Sequence, residues 1–281
     1  MKILLTGRNG QVGYELERSL APLGEVIALD RARLDLSDPA AIRSVVRDAR
    51  PEVILNAAAY TAVDRAESEP ALAGAVNAVA PGVFAEEARR CGALLVHYST
   101  DYVFDGEKQT PYVEGDAANP INVYGKTKLA GERAIEASGC RYLILRTSWV
   151  YGPRGHNFLK TVLRLAREHN ELRMVDDQIG APTSAASIAL ATGEMLRRAG
   201  TEGLFHMTAS GETSWRGFAE AIVASNHLQV RVVGIASQDY PAAARRPRNS
   251  LLDNGKLKSA YGLALGSWQH QLDEVVAQVH Q

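Results

Sequence analysis

The chain has 281 residues, 46% hydrophobic and 22% charged, with a formal net charge of −1. That size and composition suit one large α/β domain or a core domain with a smaller companion. Balanced charge gives no signal for nucleic acid or an anionic membrane as a partner. The longest apolar runs are too short to span a bilayer, and the two cysteines, Cys91 and Cys140, have neither metal-ligand nor disulfide-framework spacing. The start, Met1-Lys-Ile-Leu-Leu-Thr-Gly7, runs directly into a buried-strand pattern with no signal-peptide region. The expectation is a cytoplasmic protein with reduced thiols.

In chain order, Lys2 to Thr6 reads as a strand, followed by the turn Gly7-Arg-Asn-Gly10-Gln-Val-Gly13 and a helix through Leu16, Leu20 and Leu23, ended by Gly24. Strand, glycine turn and helix are the order a dinucleotide site requires. The first two glycines let the backbone approach a pyrophosphate at the helix N-terminus, and the third lets helix and strand pack closely. A second strand, Glu25 to Leu29, ends at Asp30, where a carboxylate can accept hydrogen bonds from a ribose. That acid favours NADH, whereas Arg8, Arg31 and Arg33 offer charge for the 2′-phosphate of NADPH. As solvated loop charges they would decide nothing, so cofactor choice stays open. Asp38 and Pro39 predict a helix start. Glu52 to Asn56 reads as the third strand, with Ala57, Ala58 and Ala59 small enough at its end to admit a flat ring.

A helix is expected from Glu69-Pro70 through Ala85 and Arg89, then a buried strand from Ala93 to Tyr98 ending in Ser99-Thr100-Asp101. This alternation predicts a doubly wound parallel sheet, Rossmann-type, with ligands at the strand C-termini. Asn122 can cap a helix carrying Tyr124-Gly-Lys-Thr-Lys128. Positions i and i+4 share a helix face, so phenol and ammonium project together, and the cation is expected to lower the Tyr124 pKa. By itself, this spacing also describes an ordinary surface Tyr–Lys pair. Phe158–Glu168, Ser187–Arg198 and a segment from Thr213 read as helices. Leu172–Val175, Gly203–Met207 and Val230–Ile235 read as short strands of a lid-like body. Residues 1–150 are thus expected to bind dinucleotide, and residues 151–281 mainly to form a smaller C-terminal substrate-binding domain, some segments returning to the core.

Thr100, Tyr124 and Lys128 downstream of the glycine turn resemble the Ser/Thr, Tyr, Lys set of the extended short-chain dehydrogenase/reductases. Asn56-Ala-Ala-Ala-Tyr-Thr-Ala-Val-Asp64, His97-Tyr-Ser-Thr-Asp-Tyr-Val-Phe104, Asn122-Val-Tyr-Gly-Lys-Thr-Lys-Leu-Ala-Gly-Glu132 and Arg146-Thr-Ser-Trp-Val-Tyr151 resemble the dTDP-4-dehydrorhamnose reductase family. Asp177-Gln-Ile-Gly-Ala-Pro-Thr183 and Arg245-Arg-Pro-Arg-Asn-Ser250 extend the resemblance over nearly the whole length. It implies reduction of the C4 ketone of dTDP-4-dehydro-L-rhamnose with NADPH or NADH, the last step toward dTDP-L-rhamnose for bacterial surface polysaccharide.

By the same resemblance, Tyr124 is the proton donor, Thr100 hydrogen-bonds the reacting oxygen, and Lys128 tunes Tyr124 and holds the nicotinamide ribose. Gly7, Gly10, Gln11, Val12, Gly13, Asp30, Asp35, Leu36, Ala59, Tyr60 and Thr61 match cofactor contacts. Thr100, Asp101 and Trp149 match substrate contacts, and Arg246 and Ser250 are expected to serve the diphosphate. Related dehydratases carry Asp-Glu after the Thr; Tyr102 replaces that Glu, so the base for elimination is missing. Epimerases of this branch usually carry Ser-Ser there instead. Relatives that hold Mg²⁺ use glutamates at a dimer interface. Glu15 matches one, but Ala186 and Gln278 stand at the others, few ligands for a hard cation; Mg²⁺ is therefore doubtful and a homodimer stays open. The competing reading is a non-catalytic dinucleotide-binding regulatory subunit of the same fold, which would need no proton donor.

Overall fold

The structure is a computed structural model describing residues 1–198 and 200–279. The first half alternates β1 (Lys2–Thr6), α1 (Gln11–Leu20), β2 (Glu25–Leu29), α2 (Pro39–Ala49), β3 (Val53–Asn56), short α3 (Val63–Ala66) and α4 (Pro70–Gly74), α5 (Ala80–Cys91), β4 (Leu94–Thr100), α6 (Val123–Ser138) and β5 (Arg141–Thr147). Then come β6 (Val150–Tyr151), α7 (Phe158–Glu168), β7 (Glu171–Val175), β8 (Ile179–Gly180), β9 (Thr183–Ser184), α8 (Ala185–Arg197) and β10 (Gly203–His206). The last elements are β11 (Thr213–Ser214), α9 (Trp215–Ser225), β12 (Arg231–Ile235), α10 (Gly255–Tyr261) and α11 (Trp268–Val279).

Six parallel strands form the main sheet in the order β10-β5-β4-β3-β1-β2. Side chains alternate across it: Ile3 and Leu5 join Leu16, Leu20, Ile188 and Leu257 on one face, while Leu4 joins Ile42, Val46, Phe84 and Ile135 on the other. Chain order reverses between β1 and β3, so the crevice for a ligand opens at their C-terminal ends. A separate apolar cluster under α7, α9 and α11 contains Leu159, Val162, Phe218, Trp268 and Leu272.

Two sequence expectations change. Gly203–His206 pairs in parallel with Leu143–Arg146, so this strand is an edge of the main sheet and not part of the lid-like body. Phe205 and Met207 are fully buried there, and α8 supplies Ile188, Ala189 and Met195 to the same core, so apolar demand on that sheet face recruits them. The helix expected to run from Pro70 to Arg89 is interrupted by a π-turn, Ala75–Val79. The turn holds Asn77, 1% exposed, whose amide accepts from Tyr60 N at 2.8 Å and donates to Tyr60 O at 3.0 Å and Thr127 Oγ1 at 3.2 Å. One inserted residue's worth of widening lets that side chain satisfy a loop backbone that has no strand partner.

Capping follows the sequence. Asp38 accepts from Ala40 N and Ala41 N at the start of α2, and Asn122 accepts from Gly125 N at 2.8 Å at the start of α6.

Candidate active site

A cleft of about 820 Å³ lies along the C-terminal ends of β1, β3, β4 and β5. At one end is the glycine turn. Gly7 has φ +76°, and a Cβ there would lie 2.8 Å from Ala58 N, so the turn packs directly on the alanines after β3. A Cβ on Gly13 would fall 2.0 Å from Gly7 O, which is the close helix-to-turn approach expected of the third glycine. Gly10 caps α1 with bare backbone, without a side-chain hydrogen bond, directing the helix N-terminus at the cleft. Gln11 Oε1 accepts from Asn157 Nδ2 at 2.8 Å, tying the turn to the start of α7.

Gly7, Gly10, Gln11, Val12, Asp30, Asp35 and Leu36 line this end, and Ala59, Tyr60 and Thr61 continue the wall; Gly13 stands behind it. Asp30 accepts from Arg33 N at 3.1 Å, and Asn9 Nδ2 donates to it at 3.4 Å. Hydrogen bonds from Ser37 hold Asp35 below the usual carboxylate range, aided by the Arg31 charge. The three arginines separate: Arg8 pairs with Glu17 at 2.8 Å, Arg33 Nη1 reaches Ala28 O at 3.5 Å, and exposed Arg31 lines the cleft.

At the other end, Thr100, Asp101, Tyr124, Lys128 and Trp149 line the same cleft. Thr100 Oγ1 donates to Asp101 Oδ1 at 3.0 Å and accepts from Tyr102 N at 3.2 Å, beside Tyr124 on the cleft wall. Although the Tyr124 ring is partly exposed along the cleft, desolvation pushes its pKa up to about 12, opposed by the nearby Thr100 hydroxyl and assisted by the Asp101 charge. The sequence predicted the opposite direction. The reason is desolvation, and Lys128 Nζ binds Tyr98 O at 2.5 Å and His97 Nε2 at 3.2 Å. Burial lowers Lys128 to about 8, with Glu132 one turn along α6 acting against it. Asp101, 3% exposed, is raised to about 6 by desolvation, against the nearby Ser250 hydroxyl and the Thr100 hydroxyl, which donates to its Oδ1 at 3.0 Å; its Oδ2 is buried without a hydrogen-bond partner.

Trp149 sits at φ +47° and stacks on Trp215, with centroids 3.6 Å apart and planes 8° from parallel. Trp215 also lines a second cleft of about 620 Å³, together with Arg245, Arg246 and Arg248. Tyr102 meets Tyr124 edge-on at 5.5 Å. Arg246 is engaged with Asp64, at 2.7 Å for its closest contact. Ser250 does not line the arginine cleft. It is 3% exposed, and its amide donates to Ile179 O at 2.8 Å. Among the described residues, no group of three or more His, Cys, Asp or Glu is arranged to hold a metal ion.

The sequence reading missed His97, Asn56 and Thr6 beneath the site, and Trp215 beside it. Polar residues interrupting buried strand ends marked the first three; nothing local marked Trp215, which enters from a helix of the other body.

The family described as RmlD substrate binding domain matches residues 1–281. The chain is 52% identical over 286 residues to a dTDP-4-dehydrorhamnose reductase of Burkholderia thailandensis, covering 96% of each. A dTDP-4-dehydrorhamnose reductase structure from Clostridium acetobutylicum superposes with TM-score 0.95 at 38% identity, covering 100% of both chains. One from Bacillus anthracis, solved in complex with NADP, gives TM-score 0.95 at 36% identity, covering 99% of this chain and 100% of that one. Identity at that level along the whole chain, on the same fold, leaves one assignment: the chain belongs to the dTDP-4-dehydrorhamnose reductase family.

Proposed function

We propose that the protein reduces the C4 ketone of dTDP-4-dehydro-L-rhamnose to the alcohol of dTDP-L-rhamnose, using NADPH or NADH. The observation that carries this reading is that Thr100, Tyr124 and Lys128 line one end of a single cleft whose other end is the glycine turn at the start of α1. The bound dinucleotide supplies a hydride to the carbonyl carbon. Tyr124 donates the proton to the developing alkoxide, and Thr100 hydrogen-bonds the same oxygen. A raised phenol pKa suits reduction: near neutral pH Tyr124 keeps its proton, and an alkoxide is a stronger base than a phenolate. Lys128 has three N–H donors; two are committed to Tyr98 O and His97, leaving one for a ribose hydroxyl.

Trp149 and Asp101 are assigned to the sugar, and the arginine cleft around Arg246 to the nucleotide diphosphate, where guanidinium forks match phosphate oxygens. Residues 1–150 with β10, α8 and α10 would then serve the dinucleotide, and the remaining segments of 151–281, described to residue 279, mainly the sugar nucleotide. The test is oxidation of NADPH with dTDP-4-dehydro-L-rhamnose generated in situ. Turnover is expected; folded, dinucleotide-binding protein that consumes no NADPH would overturn the reading.

A further inference from the structure

Beneath Tyr124 a line of buried polar groups crosses three neighbouring strands. It starts at Lys128, 1% exposed, whose Nζ lies 3.2 Å from His97 Nε2. His97, on β4 and also 1% exposed, meets the Asn56 amide through Nδ1 at 3.2 Å. Asn56, ending β3, meets Thr6 Oγ1, ending β1, at 2.8 Å. Thr6 Oγ1 in turn accepts from Ala58 N at 3.3 Å, and that amide is the atom a Cβ on Gly7 would strike. The line therefore joins the amine of the site to the turn at its far end.

Neutral imidazole carries one N–H. Burial and the Lys128 charge hold the His97 pKa well below its ordinary value, so the ring stays neutral. For Nε2 to accept from an ammonium, the ring proton must sit on Nδ1 and donate to the Asn56 oxygen, with the Asn56 NH₂ facing Thr6. The other direction has Thr6 donating to Asn56 Oδ1 and Asn56 Nδ2 donating to His97 Nδ1. The ring proton is then on Nε2, and an uncharged amine is the acceptor that fits it. Amide orientation and tautomer are interchangeable at this geometry, so the two directions of the line correspond to the two charge states of Lys128. The other ionisable groups about the amine are Tyr124 and Glu132, one turn to either side on α6; Glu132 is bound in turn by Arg146 of β5 at 2.6 Å.

We propose that His97 is a positioning residue. Held by Asn56 and Thr6, it orients the Lys128 amine toward the cleft and changes tautomer when that amine changes charge. This inference rests on the proposed role of Lys128.

Two measurements test it. In isotope-labelled protein without substrate, nitrogen-detected spectra of His97, assigned by its loss in His97→Gln, report the tautomer as pH is raised through the Lys128 titration at about 8. The expected result is an unprotonated Nε2 at neutral pH, giving way to Nε2–H above it, with no such change in Lys128→Met. A single tautomer across the range, or a change that persists in Lys128→Met, overturns the proposal. Kinetically, His97→Leu should lower kcat/KM about ten-fold or more, the size of one hydrogen bond to a charged group. Its alkaline limb should move to lower pH, and His97→Gln, whose amide reaches the same place, should recover most of both. Equal losses in the two variants with the wild-type pH limb would mean packing alone and overturn it. Absence of turnover by the wild-type protein would sink the proposed function instead, and the tautomer measurement would still decide this inference.

Discussion

Arg246 grips the Asp64 carboxylate through both of its oxygens, at 2.7 and 3.2 Å, across 182 positions of sequence. Ala244 N donates to the same carboxylate at 3.0 Å. The pair pins the arginine-rich segment onto α3, beside the wall of the main cleft, and holds Asp64 below the usual carboxylate range. Because both partners are partly exposed, the pair contributes about 1 kcal/mol or less to stability. Its larger effect should be on geometry. Arg246→Ala is expected to raise KM for the sugar nucleotide with a smaller change in kcat, and Asp64→Asn to raise it less. Steady-state kinetics with chemical denaturation on the same samples separates the two effects.

Replacing Tyr124 by Phe removes the proton donor and leaves the ring, whose edge-on contact with Tyr102 at 5.5 Å needs no hydroxyl. Turnover should fall about a hundred-fold or more, while NADPH affinity, measured by fluorescence or calorimetry, stays close to wild type. Wild-type turnover in this variant would remove Tyr124 as the acid.

Asp101 offers a pH test of the buried half of the site. Its folded-state pKa of about 6 lies above the ordinary carboxylate value of 3.8. Such a group adds relative stability below pH 3.8, and that contribution is lost as pH rises through 6. At neutral pH the buried carboxylate is therefore a cost, and Asp101→Asn should stabilise the fold there by about 3 kcal/mol. The advantage of the variant should shrink as pH falls toward 4, read from melting curves at stepped pH. A pH-independent difference would contradict the titration.

Gly180→Ala tests the tryptophan pair. A Cβ at position 180 would lie 2.5 Å from Trp149 Cε2, so the indole must move off Trp215. Overpacking of this kind costs about 1–3 kcal/mol. The expected signature is a weakened near-ultraviolet circular dichroism signal from the stacked indoles and a raised KM for the sugar nucleotide, with dinucleotide binding unchanged.

Of the arginines near the ribose end, Arg31 lines the cleft, whereas Arg8 and Arg33 have partners elsewhere. Arg31→Ala should lower kcat/KM for NADPH about ten-fold, as loss of a charge-assisted contact does, and leave NADH nearly unaffected. Equal efficiency ratios before and after would exclude Arg31 as the reader of the 2′-phosphate.

Much of this protein follows from its sequence because the relevant signals are local. Gly7, Gly10 and Gly13 specify a turn that few other residues can make, Asp38 and Asn122 cap the helices they precede, and apolar periodicity separates strand from helix. Tyr124 and Lys128 share a helix face whatever else the chain does. What those side chains then meet is decided between elements far apart in sequence. Desolvation raises the Tyr124 pKa where spacing alone predicted a low one, and the Lys128 amine binds Tyr98 O and His97. Gly203–His206 joins the main sheet because an open edge at β5 and an unfilled apolar face outweigh its position among lid segments. Desolvation and long-range pairing depend on three-dimensional burial, and no window of sequence contains it. Sequence thus determined which groups can do the chemistry; the tertiary structure decided their charge, their partners and their reach.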